Sequence, residues 1–355
     1  MLIISTILPP TKVRTRSRPQ MVTLFLSPTP VKDFFPYRTR LDSRDHRPLL
    51  HGQLHNGLYH IRTASSPTPT ALTASSSTSR HWHTRSNSGY FLSQEHYATK
   101  LLNDAGYKDC KAAPTPIAPK SKQPVHISPP FADPSLYRRL AGSLQYLSIT
   151  RPDIAFATNR VCQHIQSPTE DFKALKRLLR YIKGTLSYGL PITPGSLELR
   201  SYSDADWASD STDRKSVSGY CTFLGPNLIS WTMKKQATVA KSSTEAVYRS
   251  LSAAASDVVW LRRLAFELQL PQHQPTTIHC DNTSAMAIAK NPVFHARTKH
   301  IEIDYHFIRQ QIGAGVIQLE YIPSQEQVAD ILTKPFSITR FLELRSKLTI
   351  RTPTA

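Results

Sequence analysis

Four acidic residues of this chain occur where carboxylates could act together on a metal ion. Asp204 and Asp281 each end a short stretch with the pattern of a strand. Glu245 opens a long helical pattern, and Asp330 lies in a shorter one near the C-terminal end. Four carboxylates brought together without cations would repel one another and retain protons. Such a cluster therefore predicts a site for hard divalent metal ions.

Each of these acids also has an ordinary structural explanation. Asp204 and its neighbour Asp206 suit a turn, and Glu245 suits the N-terminus of a helix. Asp330 suits an exposed helix face. The order of the acids favours a shared site, because the spacing leaves room for one supersecondary unit between each pair.

The elements predicted around the acids form an α/β pattern. In chain order they are a strand at 197–202, a hairpin of 216–224 and 228–233, a helix at 245–268, strands at 276–280 and 316–322, and a helix at 326–333. A hairpin followed by alternating helices and strands predicts an α/β domain with a mixed sheet. Strands that run out at Asp204 and Asp281 would bring both acids to carboxyl ends of that sheet, where such folds keep their sites.

The chain before residue 195 divides into two further segments. Residues 1–88 are rich in Pro, Ser, Thr, Arg and His and lack sustained apolar periodicity. This composition predicts a low-complexity, largely disordered N-terminus, with a more protein-like island at 31–59. Residues 89–190 carry helical patterns at 92–102, 136–147, from 153 and at 171–183, with a Pro-rich linker at 112–130.

The composition indicates a polyanionic partner. The 355 residues include 44 basic and 25 acidic side chains, for a formal net charge of +19 at pH 7. This charge favours nucleic acid or an anionic membrane surface. No apolar run reaches the roughly 18 residues of a membrane span, and the apolar start lacks the basic residues of a secretory signal. We therefore expect an intracellular protein without a membrane partner. Its four cysteines are widely spaced, which predicts reduced thiols.

The helix predicted at 171–183 is amphipathic. One face carries Phe172, Leu175, Leu178, Leu179 and Ile182, and five Lys and Arg side chains lie largely elsewhere. The basic face fits either an ordinary solvated surface or a surface that follows nucleic-acid phosphates.

Five sequence motifs follow one another between residues 202 and 336. They are Tyr202–Ala208, Lys241–Ala246, Cys280–Ala285, Arg297–Arg309 and Ala329–Phe336. In this order they strongly resemble the ribonuclease H domain of copia-type LTR retrotransposon polyproteins. The first motif aligns Asp204 with the essential acid of that family, and Asp206 remains its rival.

The resemblance extends upstream. Residues 92–98 and 137–154 are similar to the C-terminal part of the reverse transcriptase of the same elements, and the island at 31–59 faintly resembles the segment before the integrase zinc-binding region. The polymerase motif Tyr-x-Asp-Asp is absent from the chain, so DNA synthesis is not predicted. The predicted division is an N-terminal segment at 1–88, a thumb- or connection-like helical remnant at 89–190, a ribonuclease H-like domain at 195–340 and a tail at 341–355.

The resemblance implies a ribonuclease H-like fold, with a mixed five-stranded sheet flanked by helices. It also implies endonucleolytic hydrolysis of the RNA strand of RNA/DNA hybrids with two Mg²⁺ ions, which Mn²⁺ can replace. Asp204 would bridge both ions, Asp330 would help hold the ion on the nucleophile side, and Glu245 and Asp281 the ion on the leaving-group side. The implied partners are the hybrid and other parts of the polyprotein, in the cytoplasm within a virus-like particle or in the nucleus.

Other residues near the acids are candidates for contacts with nucleic acid. The hydroxyl and amide groups of Ser242, Ser243 and Asn282 suit either 2′-hydroxyl contacts in the minor groove or helix capping. Phosphate contacts, which position a duplex without reading its sequence, are predicted for Lys234, Lys235, Lys241, Lys299 and Lys334.

Two alternatives compete with an active ribonuclease H. The first is a catalytically inactive retroelement remnant that binds nucleic acid through its basic surface, which the missing polymerase motif favours. The second is an integrase-like transferase, which is disfavoured because that class ends its order of acids with Glu where this chain has Asp330. Metal-dependent cleavage of a hybrid would separate the active enzyme from the inactive remnant.

Overall fold

The computed structural model describes residues 89–119, 133–166, 171–210, 212–290 and 301–353, together with short strands before residue 89. Two compact units are present, residues 1–79 and residues 80–355. Among the described residues, no helix has an apolar stretch long enough to cross a bilayer.

The first unit contains one antiparallel sheet with the strand order β1-β4-β3-β2. Its strands are β1 (Val22–Leu24), β2 (Arg40–Leu41), β3 (Pro48–His55) and β4 (Leu58–Arg62). Strands β3 and β4 are two residues apart in the chain, and His55 pairs with Leu58. Most residues of the N-terminal segment predicted to be disordered lie outside the described part of the chain.

The second unit begins with a mainly helical segment. Its elements are β5 (His83–Ser86), β6 (Gly89–Leu92), α1 (Glu95–Asp104), α2 (Pro134–Leu147), a 3₁₀ turn (Pro152–Ile154), α3 (Ala155–Gln163), α4 (Asp171–Lys183) and β7 (Leu190–Ile192). Helix α4 buries Leu175, Leu178, Leu179 and Ile182 completely, as its spacing predicts, while the side chain of Phe172 lies outside the described residues.

A buried ion pair explains part of the upstream motif at 137–154. The guanidinium of Arg151 donates to both carboxylate oxygens of Asp153, at 2.9 and 2.8 Å, and to the carbonyl oxygen of Thr185. The hydroxyl of Tyr181 donates to Asp153 at 2.6 Å and accepts from Arg345 at 3.1 Å. Because these groups lie near the start of α3, the end of α4 and the C-terminal part of the chain, the network joins three distant segments.

The remaining elements form the α/β part of the unit. They are β8 (Leu199–Asp206), β9 (Val217–Leu224), β10 (Asn227–Lys235), α5 (Ser243–Glu267), β11 (Thr276–Cys280), α6 (Thr283–Lys290), α7 (Glu302–Gly313), β12 (Ile317–Tyr321), two 3₁₀ turns (Ser324–Glu326 and Val328–Leu332) and α8 (Ile338–Lys347).

The sheet order is β10-β9-β8-β11-β12. The first three strands pair antiparallel, whereas β11 runs parallel to both β8 and β12. This is the mixed five-stranded sheet that the ribonuclease H resemblance predicts, so the predicted fold class is confirmed.

Helices cover both faces of the sheet because side chains alternate along its strands. On one face, Tyr220 and Ile278 pack with α5 and α7. On the other, Cys221 and Phe223 share a core with α2, α4 and α8. The segments at 89–190 and 195–340 therefore meet in a common hydrophobic core.

The helix predicted at 326–333 is wrong in type, because the structure has two short 3₁₀ turns there. All five residues of Val328–Leu332 are buried, so this stretch has no exposed face of the kind that an amphipathic α-helix presents. Pro335 follows closely, and a proline in a helix interior removes a backbone hydrogen bond. Short 3₁₀ turns are the usual connectors in such places.

Candidate metal centre

Three of the four predicted acids converge near the C-terminal ends of strands β8 and β11. One carboxylate oxygen each from Asp204, Asp281 and Asp330 lies within 4.8 Å of the other two. Asp204 and Asp330 are each only 4% exposed, and Asp281 is half-buried. Clustered carboxylate oxygens are the ligands that hard divalent cations take.

The parallel pairing of β8 with β11 brings the first two acids together. Tyr202 lies opposite His279, and their rings stack with centroids 4.7 Å apart. Asp204 and Asp281 each follow two residues later, so both strands deliver an acid at the same step beyond this pair. The hydroxyl of Ser324 donates to Asp281 at 2.8 Å and links that acid to the first 3₁₀ turn.

Gln327 attaches the turn that carries Asp330 to the sheet. This fully buried side chain donates from Nε2 to the carbonyl oxygen of Ser203 at 3.0 Å and accepts from the amide of Ala329 at 3.2 Å. The turn is thereby fixed beside the residue that precedes Asp204. The sequence offers no signal for this role, because a buried glutamine has no characteristic spacing.

Gly219 lets the same turn pack closely against β9. It lies directly opposite Asp204 in the sheet. A Cβ atom added at this position would lie 2.7 Å from Cγ2 of Thr333 and 2.8 Å from Cβ of Leu332. A glycine inside a strand often marks such a close approach, so this sequence signal could have identified Gly219.

A lysine side chain reaches into the carboxylate cluster. Nζ of Lys334 lies 2.8 Å from Oδ1 of Asp330 and 3.4 Å from Oδ2 of Asp204. Burial opposes its charge, but Asp204 and Asp330 outweigh that effect and raise the pKa of Lys334. The sequence predicts a phosphate contact for this lysine, whereas the structure places it between two of the acids.

The remaining electrostatics favour a proton on Asp330. Burial, and next the charge of Asp204, raise the pKa of Asp330 to about 7, although Lys334 lowers it. Asp204 also accepts a hydrogen bond from the hydroxyl of Thr333. One lysine therefore compensates only part of the negative charge, which leaves the cluster suited to additional cations.

Glu245 is not among the three converging acids. Its Oε1 lies 2.7 Å from Nη2 of Arg249, and its Oε2 accepts from the amide of Lys241 at 2.9 Å. Ser242 in turn accepts from the amide of Glu245, so the two side chains stabilise the start of α5 in the manner of a capping box. A metal-binding role for Glu245 would compete with the ion pair to Arg249.

Asp206 is also outside the cluster that Asp204 joins. It is the last residue of β8, pairs across the sheet with Val217 and is half-buried. Of the two rivals, Asp204 is the one that meets Asp281 and Asp330.

The predicted nucleic-acid contacts fall into several settings. Ser242 and Asn282 cap helices, with Asn282 accepting from the amide of Ala285 at 2.9 Å. Lys235 pairs with Asp210 and Asp213 at 2.6 and 2.9 Å. Ser243, Lys234 and Lys241 are exposed, as is Ser242, and Lys299 lies outside the described residues.

Comparison with known proteins finds transposon polyproteins. The chain is 45% identical over 262 residues to the retrovirus-related Pol polyprotein from transposon RE1 of Arabidopsis thaliana, covering 73% of this chain and 18% of that protein. It is 35% identical over 265 residues to the corresponding polyprotein from transposon TNT 1-94 of Nicotiana tabacum, covering 72% and 20%. The chain thus spans about a fifth of these relatives.

The chain is also similar to a shorter relative and to a solved structure. An uncharacterized mitochondrial protein of Arabidopsis thaliana is 49% identical over 175 residues, which cover 49% of this chain and 72% of that protein. The N-terminal RNase H domain of rv2228c from Mycobacterium tuberculosis aligns with a TM-score of 0.30 and 14% identity, covering 42% of this chain and 98% of that chain. No protein-family model matches the chain.

Proposed function

Because the chain belongs to the family of retrovirus-related Pol polyproteins of copia-type transposons, we propose that it cleaves the RNA strand of RNA/DNA hybrids with divalent metal ions. The fold and the transposon relatives support a hydrolase of the ribonuclease H type. The hybrid substrate and the metal requirement are the proposed part. The observation that carries them is the convergence of Asp204, Asp281 and Asp330 at the carboxyl ends of β8 and β11.

The residues present fit a site for hard divalent cations. All three converging ligands are carboxylates, and one of them has its pKa raised to about 7 by burial and by its neighbour. Asp204, Asp281 and Asp330 would hold the metal. Two divalent ions bound in such a site supply Lewis-acid chemistry, activating the attacking water and stabilising the leaving oxygen.

The chain's own side chains perform the remaining tasks. Gln327 and Gly219 keep the Asp330 turn against the sheet, so the third carboxylate is already in place before any ligand arrives. Near neutral pH Asp330 carries a proton for part of the time, and this proton must leave when a cation binds. With a cation held by the carboxylates, Lys334 would be free to contact a substrate phosphate.

The test is cleavage of an end-labelled RNA strand, paired with DNA or with RNA, by the full chain. Reactions contain Mg²⁺, Mn²⁺ or EDTA. We expect metal-dependent cutting of the hybrid alone, lost in Asp204→Asn and retained in the matched variant Asp206→Asn. Equal loss in both variants would remove the assignment of Asp204.

One observation favours the inactive alternative. The ion pair with Arg249 occupies Glu245, the fourth acid of the predicted set. If a folded chain binds the hybrid but does not cut it with either metal, the chain is a nucleic-acid-binding remnant. Circular dichroism and fluorescence anisotropy with labelled hybrid establish folding and binding in the same samples.

A further inference from the structure

A basic pocket lies on the helical segment, with Pro335 in its wall. Its volume is about 530 Å³, and its walls include Phe156 of α3, several residues of α4 and Pro335. Five of its lining side chains are basic, namely Arg160, Lys173, Lys176, Arg177 and Arg180. No acidic residue is among the lining residues that the structure describes.

Two arginines of this pocket are held by neutral groups. Arg177 donates from Nη2 to the hydroxyl of Thr115 at 2.7 Å, and Arg180 donates from Nε to the carbonyl oxygen of Lys111 at 2.7 Å. Nε of Arg177 is buried without a hydrogen-bond partner within the described ranges. A donor left in this way is costly unless a ligand satisfies it.

The arginine charges also oppose one another. Burial, and next the charge of Arg180, lower the pKa of Arg177. Within the described part of the chain, no carboxylate forms a salt bridge with Arg160, Arg177 or Arg180. An anion in the pocket would relieve this repulsion and use guanidinium donors that suit phosphate oxygens.

One residue of the pocket wall is adjacent in sequence to a residue of the metal centre. Pro335 lines it, and the preceding residue, Lys334, contacts Asp330 at 2.8 Å. Successive Cα atoms are about 3.8 Å apart, so a residue of the pocket wall directly follows the residue that contacts the carboxylates. The apolar surface of Phe156 suits the C–H groups of a sugar beside its phosphate.

We infer that the pocket binds a backbone phosphate of the RNA/DNA hybrid, a few nucleotides from the phosphate that is cut. Arg160 and Arg177 supply the principal contacts. The inference rests on the proposed function, because it takes the hybrid as the ligand. It also gives a role to the basic residues of α4 that line one pocket with Pro335.

The test measures binding rather than cleavage. The full chain in EDTA is titrated into fluorescein-labelled RNA/DNA hybrid at several salt concentrations, and anisotropy gives the dissociation constant. Arg160→Gln is compared with Arg263→Gln, which removes the same charge from an exposed position on α5. Arg177→Gln is the second pocket variant, and thermal unfolding checks that each protein is folded.

We expect each pocket variant to weaken binding and to reduce the slope of log affinity against log salt by about one, as loss of one phosphate contact does. Arg263→Gln should leave the slope unchanged. A series of hybrids, each with a single neutral methylphosphonate, should then reveal one linkage that matters. Substitution at that linkage should weaken binding by the parent chain but not binding by Arg160→Gln.

The outcomes separate this inference from the proposed function. Pocket variants that bind like Arg263→Gln overturn the pocket assignment, even if the parent chain cuts hybrids. If the chain cuts no hybrid but the pocket variants alone bind it more weakly, the pocket assignment is supported and the nuclease function is rejected. A methylphosphonate series without any position that depends on Arg160 would also overturn the assignment.

Discussion

Asp330 makes the stability of the metal-free chain depend on pH. Replacing Asp330 with asparagine should remove this part of the pH dependence. Burial and the charge of Asp204 raise its pKa from an ordinary value of 3.8 to about 7. Between these values the folded state retains a proton that the unfolded chain has lost. The free energy of unfolding therefore falls as the pH rises through this window and levels off above about 7.

The size of the effect follows from the shift. One pKa unit corresponds to about 1.4 kcal/mol, so a shift of about three units corresponds to about 4 kcal/mol over the whole window. Between pH 5 and pH 8, about 3 kcal/mol of this should be measurable. Asp330→Asn keeps the shape of the side chain but cannot ionise, so this part of the pH dependence should vanish.

The assay is guanidinium chloride unfolding in EDTA at pH 5, 6, 7 and 8. The difference in unfolding free energy between parent and Asp330→Asn should change by about 3 kcal/mol across the series. Asp257→Asn is the matched control, because burial raises the pKa of Asp257 to about 6 while Ser230 and Thr222 donate to it. The difference in unfolding free energy between the parent and Asp257→Asn should stop changing above about pH 6. Parallel curves for parent and Asp330→Asn would refute the account of the cluster.

Three further substitutions test individual contacts. Lys334→Met should lower the metal-free unfolding free energy by about 1–3 kcal/mol, because it removes the cation between two acids. Isothermal titration at pH 8.5 should show tighter Mn²⁺ binding, and weaker binding would contradict this role. Gly219→Ala should lower the free energy of unfolding by about 1–3 kcal/mol and weaken Mn²⁺ binding, because the new Cβ displaces the Asp330 turn. Unchanged Mn²⁺ affinity would count against this explanation. Asp153→Asn should cost about 3–5 kcal/mol in the same unfolding assay by leaving the Arg151 charge buried and unpaired, and a cost below about 1 kcal/mol would argue against the network.

Local sequence patterns predicted the parts of the fold that local physics determines. The apolar spacing of α4 and the bounds of β11 were readable because each depends on the periodicity of one short segment. Strand β8 instead continues to Asp206, beyond the end predicted at Asp204. The mixed five-stranded sheet and the family followed from the resemblance that the five motifs carry. Asp204, Asp281 and Asp330 were therefore identified before the structure brought them together.

The contacts that complete the site were not readable in this way. Gln327 acts through a hydrogen bond to Ser203, a residue 124 positions earlier in the chain. Lys334 had an evident charge, but its position between two acids depends on how the last turn packs. That turn is 3₁₀ rather than α because it is wholly buried, and burial is a property of the assembled fold.

Packing also couples the metal centre to the helical segment. Ile331 and Leu332 directly follow Asp330 in sequence, and both lie in the core that contains Leu140 of α2 and Leu179 of α4. A core with native packing transmits small changes in volume, because it has few voids to absorb them. A substitution in α2 or α4 can therefore move Asp330 without touching any acid. The helical segment at 89–190 thus has a physical reason to accompany this site, since it forms one side of the core that holds the third carboxylate in place.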